Sequence, residues 1–358
     1  MTNTRTRILG LLAAGLACGS LATSAGCAKW RERRAARAES ARQSREAREA
    51  AARDAEAARE AKKTPAEADQ ALARARILKD QGLTEVALQE FERAIAVNPR
   101  LVPAYLGIGE IRRERGDLPQ AEAAYAQAAS IDPTNFEAQY NRGLVQQLLN
   151  RLTDAIKSYL RALQLRPDDF DANLNIATAY MQLSEPAAGR PYAQRAVRLR
   201  PSSGPARVNL GAILAALGDH RAAVVEFQQA AELMDLSPEL LLNLADSLGR
   251  IGRYAEMQNT LEQLVASHPS AVAYERLASA LFRQQRYDES LAAFRKSLAQ
   301  DPNYYPALNG VGVCLLNRYL TSDQKDLEAR NEAIKALRRS LQIESRQPAV
   351  LDLVTRYG

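Results

Sequence analysis

The chain has 358 residues, 46% hydrophobic and 6% aromatic, which suits small-residue helix packing around a continuous core better than one large globule. Its net charge of +6 is no footprint for nucleic acid: residues 29–63 hold twelve Lys/Arg against seven Asp/Glu, and Arg5 and Arg7 add two charges, leaving residues 64–358 at −1. Two lone histidines, His220 and His268, no His/Cys/Asp cluster at ligand spacing, no phosphate-cradling glycine loop and no Gly-x-Ser-x-Gly elbow argue against metal, nucleotide and hydrolase chemistry; no catalysis, cofactor or small-molecule substrate is expected.

At the N-terminus, Arg5 and Arg7 precede a ten-residue apolar core, Ile8 to Ala17, and a mostly small stretch, Gly19 to Gly26, the three-part layout of an export signal. Ser24-Ala25-Gly26-Cys27 resembles the lipobox of bacterial lipoproteins, with Ser24 where the usual leucine stands. That resemblance implies a signal over residues 1–27 and lipidation of Cys27. Two rivals stay open: cleavage near Ala25 to a secreted protein, and an uncleaved anchor, because Ile8 to Ala28 is 21 uncharged residues and about 18 suffice to span a membrane. All three place the rest of the chain outside the cytoplasm, and the expected location is the cell envelope, facing the periplasm and membrane-anchored. Cleavage before Cys27 also removes Cys18 and leaves Cys314, two residues past Gly312 on a packing face, as a buried small hydrophobe with no disulfide partner.

Residues 28–64 form a spacer rich in Ala, Arg and Glu, without Val, Leu, Ile or Phe. It has helix propensity and nothing to bury, so it reads as a solvated helix or a disordered tether. Arg42/Glu46, Arg45/Glu49 and Glu49/Arg53, each four apart, support the helix by about 0.2–0.5 kcal/mol apiece.

From Pro65 the chain becomes periodic. Pro99, Pro133, Pro167 and Pro201 stand 34 residues apart. Each follows an alanine by five residues (Ala94, Ala128, Ala162, Ala196), with Phe91, Tyr125 and Tyr159, then Ala87, Ala121 and Ala155, further upstream at helical offsets. Earlier in each unit a small residue recurs: Gly109, Gly143, Ala177, Gly211, Ala245, Ala278 and Gly312. Each unit is therefore two close-packed helices, the small residue admitting an aromatic knob and the proline opening the next unit. The pattern from Pro65 to Ser345 resembles the tetratricopeptide repeat family. The expected fold is an all-α solenoid over residues 65–358, a right-handed superhelix of about eight repeats, closed by a capping helix over Pro348 to Tyr357. Three units depart from the pattern. The fourth has Ala193 for the aromatic, the sixth has Met257, Leu261 and Leu264, and the seventh is one residue short. The eighth is stretched between Leu315 and Ala333, either by longer helices or by an inserted loop.

A second column runs through the array. Asn141, Asn175, Asn209 and Asn243 recur every 34 residues, two before the small residue of the first helix. A carboxamide carries donor and acceptor together and can grip a peptide unit without reading a side chain. Packed helices lie about 8–10 Å apart and three extended residues span about 10 Å, so one rung serves about three ligand residues. This column resembles the asparagine ladder in the repeats of the O-linked N-acetylglucosamine transferase, which implies an extended polypeptide on the concave wall; no glycosyltransferase domain follows. The structural alternative is that these asparagines only bind neighbouring helices. Tyr140, Leu174, Val208 and Leu242, one position earlier, give the groove an apolar character. Glu137, Asp171 and Glu239 disfavour the lysine and arginine clamp that takes carboxylates.

The expected function is a non-catalytic scaffold that holds a protein partner's extended segment and serves assembly of an envelope complex such as pilus, secretion or outer-membrane machinery. In architecture the chain looks like the repeat lipoproteins of those systems. Two alternatives remain: a structural protein bridging membrane and cell wall or self-assembling through its end repeats, and an adaptor subunit of a separately encoded enzyme.

Overall fold

A computed structural model describes residues 24–358, in seventeen α-helices and no strand. Residues 1–23, most of the expected signal, and the Cys27 side chain lie outside the described set.

The described residues up to Pro99 form one unit. Helix α1 runs unbroken from Ser24 to Asp80, through Pro65, and pairs with α2 (Thr84–Val97). The two halves of α1 are held differently. Ala68, Ala71, Leu72 and Ala75 are buried, as are Ala87, Leu88, Phe91 and Ala94 of α2, whereas residues 32–56 are exposed throughout. Arg42–Glu46 and Arg45–Glu49 pair at 3.0 and 3.2 Å, while Arg53 donates to the Glu49 carbonyl at 3.3 Å rather than to its carboxylate. The Arg34 guanidinium lies over the Trp30 ring at 5.1 Å.

Residues Arg100–Gly358 form the second unit, a run of helix hairpins. In order they are α3 (Val102–Glu114) with α4 (Leu118–Ile131), α5 (Phe136–Leu148) with α6 (Leu152–Leu165), α7 (Phe170–Gln182) with α8 (Pro186–Leu199), and α9 (Gly204–Ala216) with α10 (His220–Leu233). Then come α11 (Pro238–Arg250) with α12 (Tyr254–Ser267), α13 (Ala271–Arg283) with α14 (Tyr287–Gln300), α15 (Tyr305–Thr321) with α16 (Leu327–Ile343), and the closing α17 (Pro348–Tyr357), which packs on α16. Each second helix also packs on the first helix of the next hairpin.

Side-chain chemistry sets the boundaries. Five first helices start at a residue whose side chain accepts from the backbone N–H three positions on: Asn135, Asp169, Ser203, Ser237 and Ser270. Each first helix of the regular repeats stops at a left-handed residue 34 positions after the last: Gly116, Gly218 and Gly252 at φ of 81°, 84° and 77°, but Asn150 at 58° and Ser184 at 60° in between. A Cβ at Gly143 would lie 2.8 Å from the Tyr159 ring, and one at Gly211 would lie 2.7 Å from the Phe227 ring, so glycine is what lets each knob seat.

The irregular units have local explanations. The fourth pairs Ala177 with Ala193, both fully buried, and moves its aromatic one place to Tyr192, stacked on Tyr180 at 6.0 Å. The seventh loses its residue in the connection before α13, where His268, Pro269 and Ser270 replace a four-residue link such as Arg200 to Ser203. The eighth is longer because α15 and α16 have 17 residues each against 13 or 14 elsewhere in the array, joined by a short turn with Asp323 and Gln324 at positive φ. Cys314 is buried, and burial pushes its thiol pKa up.

A candidate peptide-binding wall

The ladder lies on successive first helices. Asn141 on α5, Asn175 on α7, Asn209 on α9 and Asn243 on α11 are all half-buried. Asn175 Nδ2 donates to the Tyr140 hydroxyl at 3.0 Å, and Asn209 Nδ2 donates to Thr178 Oγ1 at 2.7 Å. Each bond crosses to the preceding first helix, so both rungs also tie neighbouring repeats together. Each rung thereby uses one of its two amide hydrogens. The oxygen remains, and Asn209 Oδ1 is buried without any hydrogen-bond partner. An unmatched acceptor at such a site costs about 1–3 kcal/mol until a donor reaches it.

The column before the ladder is mixed. Tyr140 stacks on Phe136 at 5.7 Å and tilts against Tyr159 at 5.9 Å. Burial, reinforced by Asp171 and Asp169, raises its pKa, so its hydroxyl stays protonated while accepting from Asn175. Leu174 packs beside Phe170, Ala196 and Ala206, and Val208 and Leu242 pack on the main core. All four are half-buried, so each presents part of its surface on the wall while the rest holds the helices together. Met181 and Ala215 continue the apolar surface; Glu137, Asp171 and Glu239 are exposed around it.

A third periodic column escapes a reading by residue type. Gln139, Asn173 and Arg207 recur every 34 residues, and each donates from its side chain to a proline carbonyl six residues back: Pro133 at 3.3 Å, Pro167 at 3.1 Å and Pro201 at 2.9 Å. They tie each first helix to its entry turn. The shared property is a long N–H donor rather than a residue name, and the 34-residue spacing was the available signal. A fourth column uses rings to tie each first helix to the turn that leaves its hairpin: Arg166 lies over Phe136 at 4.4 Å and Arg200 over Phe170 at 4.0 Å. Glu122 adds a polar clasp, accepting from Arg142 and Gln146 at 3.0 Å each.

Among the described residues no group of three or more His, Cys, Asp or Glu is placed to hold a metal ion, and no helix is long and apolar enough to cross a membrane.

A tetratricopeptide repeat family model matches residues 174–239 and 242–305, and a second TPR repeat model matches 109–150 and 148–184, together more than half of the chain. The chain belongs to the tetratricopeptide repeat family. Its described residues form an all-α array of these repeats, a fold that serves as a protein-interaction scaffold. No curated protein matches the sequence of this tetratricopeptide repeat protein. Similar solved structures include a tetratricopeptide repeat protein from Parabacteroides merdae (18% identity, 70% of this chain and 99% of that one, TM-score 0.49). Others are pilF of Pseudomonas aeruginosa (18%, 57% and 94%, 0.49) and YrrB, described as a TPR protein with an unusual peptide-binding site (19%, 73% and 96%, 0.32). With every score below 0.5, no residue, partner or role is carried over from them.

Proposed function

We propose that this protein is a non-catalytic scaffold, exported and lipid-anchored through Cys27, whose first-helix wall holds an extended segment of a protein partner during assembly of an envelope complex. The observation that carries the groove reading is the buried, unpaired Oδ1 of Asn209, set in a column of four asparagines on consecutive first helices. That acceptor has no partner within the protein, and a ligand main-chain N–H that reached it would match it. Export and anchoring rest on the charged start, apolar core and small residues before Cys27.

The test compares crosslinked envelope partners of the native protein with those of an Asn141→Ala, Asn175→Ala, Asn209→Ala, Asn243→Ala variant whose helicity and melting temperature are verified. Loss of partners supports the groove; an unchanged set rules it out. The bridging alternative is favoured by α1, whose residues 32–56 are exposed along their length, and it requires that unchanged set. For the anchor, Cys27→Ser should block processing, so that the variant lacks the lipid and keeps the signal that the native protein loses. A variant that stays membrane-bound at the unprocessed mass, matching the native protein, contradicts lipidation.

A further inference from the structure

The ladder ends abruptly in the seventh repeat, and what replaces it is charged. Counting from the small residue of each first helix, the apolar column reads Tyr140, Leu174, Val208, Leu242 and then Glu275; the asparagine column reads Asn141, Asn175, Asn209, Asn243 and then Arg276. Glu275 is placed as its apolar predecessors are, with a side chain only 14% exposed. Around it stand Ser279 and Arg276 on its own helix, Asp246 on α11, and Tyr304 at the start of α15, so it lies along the line of first helices.

The carboxylate is incompletely matched. Ser279 donates to Oε1 at 3.0 Å, while Oε2 has the Arg276 guanidinium at 3.6 Å, too long for a hydrogen bond. Arg276 is divided, because its other end reaches the Asp246 carboxylate at 3.6 Å. Two carboxylates thus share one guanidinium. Burial raises the pKa of Glu275 against the opposing effects of Arg276 and Ser279, the sign of an anion short of partners. Tyr304 brings a neutral phenol whose pKa is likewise raised by burial.

We infer that this position is a subsite for a cation: Glu275, with Asp246 beside it, takes a Lys or Arg side chain of the same extended segment that the asparagine ladder holds. The inference rests on the groove reading and deepens it, giving the partner segment a chemistry of apolar residues followed at one end by a basic residue. Continuity of both columns with the ladder, and the local excess of negative charge, select that occupant over an acidic one.

The test uses the full-length protein and a library of acetylated, amidated ten-residue peptides with fixed leucines, the remaining positions drawn from Ser, Gln, Lys and Glu. Selected peptides should carry Lys near one end, and replacing that Lys by Gln should weaken binding roughly tenfold, the scale of one charge-assisted hydrogen bond. Glu275→Gln should erase the difference while leaving affinity for the Gln peptide unchanged, and Glu275→Lys should shift selection toward Glu. The four-asparagine variant should lose all peptides alike. If Glu275→Gln proves unstable, the Lys-to-Gln comparison on the native protein decides. Peptides selected without a basic residue, or a Lys preference that survives Glu275→Gln, overturn the subsite and leave the groove standing. No selected peptide at all overturns both.

Discussion

Each first helix has two faces that obey the same 34-residue period under different constraints. On the face toward its own second helix, Gly143 and Gly211 admit Tyr159 and Phe227, which are fully buried, and a single added carbon would collide with a ring. On the wall face, Asn175 and Asn209 are half-buried, spend one amide hydrogen on a neighbouring helix, and keep an oxygen in reserve. The first face is used up by folding. The second keeps unspent hydrogen-bonding capacity, and the proposed binding role rests on that difference.

The largest effect that tests this contrast is on the packed face. Phe227→Ala removes a fully buried ring and should cost about 3–5 kcal/mol, read by chemical denaturation. Loss below about 1 kcal/mol would mean that the hairpins do not depend on their knobs. Next, Asp169→Ala deprives the Ala172 N–H of its cap and should cost about 1 kcal/mol, while every ladder asparagine stays in place. Asn209→Ala removes one bond to Thr178 and also an unmatched buried oxygen, so its stability cost should fall below about 1 kcal/mol. A cost as large as that of Phe227→Ala would make the ladder structural. Smallest and opposite in sign, Ser184→Gly should stabilise, by about 0.5–1 kcal/mol, because Ser184 holds a φ of 60° where Gly116 and Gly218 stand in sister repeats. A fall in melting temperature would show that the serine earns its place elsewhere.

Much of the fold was legible in the sequence because proline, alanine, aromatic and small positions recur together. Their joint period implied the hairpins, the close approach at Gly143 and Gly211, and the closing helix over Pro348 to Tyr357, whereas Pro65, read as the start of the array, stands inside α1 and opens no helix. Less was legible where one pattern admits two geometries. The polar run after Leu315 fitted a loop as well as lengthened helices, and the packing of α15 on α16 decided for helices. Ala193 read as a gap, because a knob shifted one place to Tyr192 leaves the period and finds Tyr180 only in three dimensions. The wall positions were visible as a column, but their hydrogen-bonding state was not. Which half of an asparagine amide is taken depends on whether Tyr140 or Thr178 stands across from it, on a helix about 34 residues away. The Gln139, Asn173 and Arg207 column stayed hidden for a related reason: its chemistry repeats while its residue type changes.

The central claim is that the asparagine oxygens receive ligand main-chain N–H groups at intervals of about three residues, the spacing of successive first helices. Its most direct test is an ester scan of a bound peptide, each variant replacing one amide N–H by oxygen, with affinity measured against the native protein and against the four-asparagine variant. The account predicts weakening at every third position for the native protein and a flat profile for the variant. A flat profile for the native protein, or a periodic one that persists without the asparagines, would contradict it.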